Sequence, residues 1–251
     1  MLKTRIIPTL LYKDFGLVKG KGFDSRRAIG SAIQAIKVFN LRAVDELVFL
    51  DVTATLQERE PDYELIDELA DDCFMPFTVG GGIRSVSHVG RLLEVGADKV
   101  AIGTAAVEEP AALAETAKQF GSQCVVAVID VTRDDAGSPT VMTRSGTLPT
   151  ERDPVELARC CEDMGAGEIL LQSVDRDGTM SGYDLEVIAV VSDAVSIPVI
   201  ASGGAGTYDD LLDALGVGAS AVAASAMFHF TEQTPLQAKA RMDEAGYPVR
   251  R

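Results

Sequence analysis

The sequence predicts an α/β fold, a single (β/α)8 barrel of the TIM type with a two-fold half-barrel repeat, and three observations carry that prediction. Eight short apolar runs recur along the 251 residues. Amphipathic stretches of helical period separate them, such as Tyr63, Leu65, Ile66 and Leu69 after the second run and Val155, Leu157, Ala158 and Cys161 before the sixth. The chain also repeats itself with an offset close to 122.

The runs are RIIPTLL (5–11), ELVFLDV (46–52), PFTVG (76–80), KVAIG (99–103), CVVAVID (124–130), EILLQSV (168–174), PVIAS (198–202) and SAVAAS (220–225). Most are continuously apolar rather than alternating, as strands covered on both faces should be. Strand then helix, eight times in this length, is the pattern of a closed parallel barrel. Residues 75–106 lie over 197–227, matching Pro76 with Pro198, Gly81 and Gly82 with Gly203 and Gly204, and Gly96 with Gly218. Glu46 falls likewise on Glu168. A period this long fits a duplicated half-barrel rather than a solenoid. One domain over 1–251 is expected, with halves of about 1–120 and 121–251.

Charge and composition narrow the function. With 23 Lys plus Arg against 38 Asp plus Glu, the net charge of −15 repels nucleic acid and anionic lipid, and any bound phosphate must be held locally. Four cysteines without CxxC spacing suggest neither a disulfide framework nor a zinc site, and two histidines are too few for a typical metal centre or a His-based triad. No metal and no cofactor are expected. The N-terminal apolar stretch is short and broken by Pro8, unlike a signal segment or membrane span, so a soluble cytoplasmic protein is expected.

In such a barrel, chemistry sits at the C-terminal ends of the strands. Gly80-Gly81-Gly82 follows the third run and Gly203-Gly204-Ala205-Gly206 the seventh, each before a helical segment, where backbone N–H groups approach an anion closely. Each is followed by a strand ending in a small hydroxyl-bearing segment, Gly103-Thr104 and Ala224-Ser225, so a ligand with a phosphate at each end is expected. Ionisable candidates at this face are Lys19, Asp51, Asp130, Asp175 and Asp177. Asp130 ends an apolar strand, a setting suited to acid or base work, whereas Asp51 and Asp175 read better as loop-tying carboxylates. The position on the first strand equivalent to Asp130 holds Leu11. At the opposite end Arg5, Glu46, Lys99 and Glu168 open four strands, a neutral set that forms either a structural plug or a gate.

The stretches RIIPTLL…LVKG, DELVFLDVTAT, PFTVGGGI, GADKVAIGTAAVEEP, FGSQCVVAVID, GAGEILLQSVDRDGTMSGYD, IPVIASGGAG and AAS…FHF together resemble the cyclase subunit of imidazole glycerol phosphate synthase, from histidine biosynthesis. The resemblance runs through essentially the whole chain. It implies a glutaminase subunit docked at the barrel bottom and ammonia passing up the barrel to cleave and cyclise a bisphosphorylated ribulosyl formimino carboxamide nucleotide. It assigns one phosphate to Gly82 and Thr104, the other to Asp177, Gly178, Gly204 and Ser225, and substrate contact to Lys19. Arg5, Glu46, Lys99 and Glu168 become the ammonia entrance, with Asp98 and Gln123 on the partner-facing side.

The family uses two catalytic aspartates. Here the second is Asp130, and Leu11 replaces the first. Gly103 stands where the family usually has a phosphate-holding asparagine, and Gln172 where it has a threonine. The apolar pair after IIP and the stretch REPDYELI (59–66) resemble paralogues of surface-saccharide pathways. That subgroup implies delivery of ammonia to a sugar amidotransferase, a further expected partner, with the cyclase reaction as the alternative.

Overall fold

The computed structural model describes residues 3–42 and 44–250, apart from the side chains of Ser25 and Arg26. The strands are β1 (Arg5–Lys13), β2 (Gly16–Lys21), β3 (Asp24–Gly30), β4 (Leu47–Asp51), β5 (Phe77–Gly80), β6 (Lys99–Ile102), β7 (Val125–Arg133), β8 (Pro139–Thr143), β9 (Leu148–Pro149), β10 (Glu168–Ser173), β11 (Val199–Ser202) and β12 (Ala221–Ala224). The helices are α1 (Ala32–Leu41), α2 (Tyr63–Asp71), α3 (Val86–Glu94), α4 (Thr104–Glu108), α5 (Pro110–Phe120), α6 (Pro154–Asp163), α7 (Leu185–Ala194), α8 (Tyr208–Gly216), α9 (Ala226–Phe230) and α10 (Pro235–Glu244).

Eight parallel strands, β1, β4, β5, β6, β7, β10, β11 and β12, close on themselves, because β12 pairs with β1 and β7 with β10. The expected barrel is therefore present, with each of the eight apolar runs supplying one of its strands. Alternate side chains of a strand point to opposite faces. On β1, Ile6 and Leu10 face out to the main core under the helices, while Ile7 joins Val48, Val126, Leu170, Ile200, Ala221 and Ala223 in a separate apolar cluster inside the barrel. Both faces are dry, which is why the runs carry no polar alternation.

Helix starts follow the capping chemistry of the sequence. Asp62 accepts from the Leu65 N–H ahead of α2, and Asp153 accepts from Val155 and Glu156 ahead of α6. Thr207 and Thr234 form reciprocal capping boxes with Asp210 and Gln237.

Two hairpins depart from the sequence reading. The segment after the first apolar run, which the eight-run pattern leaves without a strand, is the antiparallel pair β2–β3, continuous with an extended β1, and β8–β9 folds back on an extended β7. Both rise from strand C-termini and so belong to the barrel mouth.

Candidate functional site

A cavity of about 280 Å³ opens at the C-terminal mouth. Lys19, Gly82, Thr104, Asp130, Asp177, Gly178, Gly204 and Ser225 all line it, brought together from both halves of the chain. The register shows how. Leu50 and Gln172 are repeat equivalents; Leu11 pairs with Leu50, and Asp130 pairs with Gln172. Leu11 and Asp130 therefore occupy the same place in the two half-barrels, and both line the cavity.

Lys19 sits on β2, only 3% exposed, with Nζ 3.6 Å from Asp177 Oδ1. The hairpin is also held down by the Gly22 N–H, which donates to the Asp177 carbonyl at 2.9 Å. Gly178 and Gly204 take positive φ, +71° and +114°, and a Cβ on either would strike a backbone carbonyl, of Gly20 and Gly182 respectively. Close loop packing alone thus demands glycine at these two positions. Asp51 accepts from Thr53 N and Oγ1 at 3.0 Å, from Ala54 N at 3.1 Å and from Arg59 Nη2 at 2.6 Å. Asp175 accepts from Thr132 Oγ1 at 2.6 Å and from Arg133 N at 2.8 Å. Both are committed to loop structure, as the sequence suggested.

Some lining residues went unnoticed in the sequence. Thr9 lies two residues below Leu11 on the same face of β1, buried, and its Oγ1 has no hydrogen-bond partner. Arg144 and Ser145, at the β8–β9 tip, lean over the mouth: Arg144 N donates to Thr104 Oγ1 at 2.9 Å, Arg144 Nε and Nη2 to Glu108 at 3.0 and 3.1 Å, and Ser145 Oγ to the Val52 carbonyl at 3.0 Å. The turn was readable from Ser145-Gly146, but not its placement.

At the opposite end the four predicted charges meet. Arg5 Nη1 donates to Glu46 Oε2 at 2.7 Å and to Glu168 at 2.9 and 3.0 Å. Lys99 Nζ reaches both Glu46 oxygens at 3.0 Å and Glu168 Oε1 at 3.1 Å, while Thr78 Oγ1 donates to Glu46 at 2.8 Å. Burial works against the Arg5 charge, but Glu168 and Glu46 outweigh it and raise its pKa above the usual arginine value. Above the ring the interior is aliphatic: Arg5, Ile7, Thr9 and Leu11 share one face of β1, so ring and cavity floor are roughly 13 Å apart along the strand. Asp98 and Gln123 are exposed and tied locally, Asp98 accepting from Phe77 N at 2.8 Å and Gln123 Nε2 donating to the Phe120 carbonyl at 3.1 Å.

A closed parallel barrel with a cavity at its strand C-termini is the layout of the (β/α)8 enzymes, in which the loops at that face hold the ligand. Residues 5–234 match the family model described as "Histidine biosynthesis protein". The chain belongs to this family of histidine-biosynthesis-type barrels. No helix among the described residues is long and apolar enough to cross a membrane.

Proposed function

We propose that this chain is the barrel member of a glutaminase–barrel pair that relays ammonia, and that it serves sugar amidination in surface-saccharide synthesis rather than the cyclase reaction. Ammonia from a glutaminase docked on the N-terminal face enters past Arg5, Glu46, Lys99 and Glu168 and rises through the aliphatic interior. It leaves at the mouth for a sugar amidotransferase. The observation that carries this reading is the pairing of an intact charged ring with a mouth in which Leu11 faces Asp130 across the repeat. The cyclase needs a proton donor and a proton acceptor; a leucine is neither, and losing one such group typically costs about 10²- to 10⁴-fold in rate.

The test supplies the bisphosphorylated nucleotide with ammonium and follows its consumption. Turnover at least about 100-fold below that of a two-aspartate cyclase is expected, with partial recovery in Leu11→Asp. Turnover equal to that of such a cyclase overturns the proposal. For the gate, Lys99→Met is expected to uncouple glutamine use from ammonia delivery while ammonium-driven activity persists. Unchanged coupling refutes the entrance assignment.

The second reading, a working cyclase of the histidine pathway, is favoured by one observation. Asp130, Lys19 and both glycine turns converge on a single cavity. In that reading Lys19 or a water beside Asp51 carries the missing proton.

A further inference from the structure

The half-barrel repeat makes the mouth comparable with itself. Four register-equivalent positions are Leu11 and Asp130, Leu50 and Gln172, Gly80 and Ser202, and Gly103 and Ser225. In every pair the first half presents an aliphatic side chain or none, and the second half a polar one. Leu11, Val18 and Val52, with Leu50 against them, form an apolar cluster separate from the main core. Leu11, Leu50 and Val52 turn that cluster to the cavity.

The hydrogen-bonding groups divide the same way. Ser225 Oγ, on the polar arc, is buried without a partner. A buried hydroxyl left unpaired is uncommon and points to a missing ligand group. Thr9 Oγ1, 7% exposed by residue, is a second such orphan in the floor. On the other arc the Gly82 N–H already donates to Thr55 Oγ1 at 3.3 Å and Gly103 offers no side chain, which leaves the Thr104 hydroxyl as the one side-chain donor among the residues assigned to a phosphate there. Among the described residues the cavity is lined by three cations, Lys19, Arg84 and Arg144, against six carboxylates. Each phosphate adds about −1.5 to −2 charges, so such a lining accommodates one far better than two. The volume of about 280 Å³ is also small for a ligand site.

We infer that the mouth takes a ligand with a single phosphate. The phosphate sits on the Gly178–Gly204–Ser225 arc beside Lys19, an uncharged and largely apolar body lies on the Leu11–Leu50–Val52 wall, and the Thr9 hydroxyl meets the ligand's one deep polar group. This goes beyond the proposed relay, from which it is independent, and narrows the two-phosphate expectation to one.

The test titrates the full chain calorimetrically with inorganic phosphate, hexyl phosphate and hexane-1,6-diyl bisphosphate. Hexyl phosphate is expected to bind at least about tenfold more tightly than inorganic phosphate, the value of burying two methylenes, and the bisphosphate no more tightly than hexyl phosphate. Leu11→Asn should erase the hexyl advantage and leave inorganic phosphate unchanged, and Ser225→Ala should weaken all three probes. The native chain decides the matter even where a variant fails to fold. A bisphosphate that binds tenfold more tightly than hexyl phosphate, a hexyl chain without advantage, or no binding of any probe overturns the inference. None of these titrations involves glutaminase or ammonia, so their failure is distinct from failure of the relay, which the Lys99→Met coupling assay reads.

Discussion

Replacing Lys99 by methionine keeps an aliphatic stem of similar length and removes one of the two cations in the ring. Lys99 makes three contacts of 3.0–3.1 Å, two with Glu46 and one with Glu168, so the variant leaves two carboxylates around Arg5 alone. Glu46 suffers most, since its side chain is 3% exposed and retains only Arg5 and Thr78. Removing one partner from a buried ion pair costs about 3–5 kcal/mol. The Lys99 and Glu168 side chains are 16% and 15% exposed, so water takes up part of the deficit, and about 2–3 kcal/mol is expected. Adding Glu168→Gln restores neutrality around Arg5 and Glu46 and should return at least about 1 kcal/mol. Urea unfolding of the native chain, both single variants and the double variant measures this directly, provided the m-values agree. If the double variant is destabilised by the sum of the singles, the four charges are not coupled and the ring reasoning fails.

Two glycines should behave oppositely. Gly103 has φ −103° and a Cβ there would meet nothing nearer than Val128 at 3.5 Å, so Gly103→Asn should change stability by less than about 0.5 kcal/mol in thermal melts. Gly204→Ala, at φ +114° against the Gly182 carbonyl, should cost at least about 1–3 kcal/mol. Lys239 Nζ donates to Asp45 Oδ1 at 2.7 Å, and Asp45 Oδ2 also accepts from Ile6 N at 3.0 Å. Because the Asp45 side chain is 0% exposed, Lys239→Met should cost about 3–5 kcal/mol by chemical unfolding, and a loss under about 1 kcal/mol would contradict the pairing. His229 is held down from 6.5 to about 4, by burial first and by Lys19 and Arg42 next. Between those values the unfolded chain binds a proton that the fold excludes. This contribution is therefore complete above about pH 6.5 and is lost as the pH falls towards 4, by at most about 3 kcal/mol. Stability–pH curves of the native chain and His229→Leu should diverge over that window, and parallel curves would count against the assignment.

The eight barrel strands were legible because a parallel strand buried on both faces must be apolar along its length, as VVAVI and LVFL are. Their ends were not. β1 runs on through Tyr12 and Lys13, and β7 through Thr132 and Arg133, because there they pair with the hairpin strands β2 and β8. GLVKGK, in β2, has too little apolar content to announce a strand, and only its pairing with β1 and β3 makes it one. The motif residues of the mouth were visible as types at strand ends. Thr9 was hidden, since its importance is its register beneath Leu11. Arg144 was hidden because its contact with Thr104 spans 40 residues of sequence and depends on a hairpin folding back over the mouth.

The two ends of the barrel are subject to different constraints. At the bottom each ring charge is held by two partners of opposite sign, and deleting any one leaves the other three unbalanced in a largely dry setting, so the fold itself resists change there. At the mouth Leu11 faces the cavity, and its apolar neighbours are Val18, Val52 and Leu50 rather than the helix-covered core. Exchanging a carboxylate for a leucine at such a place alters what the cavity binds without opening a hole in the main core. A duplicated half-barrel adds a further freedom: one arc of the mouth can lose its polar groups while its repeat keeps them. Under the relay proposed above, the charged ring and the mouth are therefore separable, and substitutions at the mouth should show in ligand affinity before they show in stability.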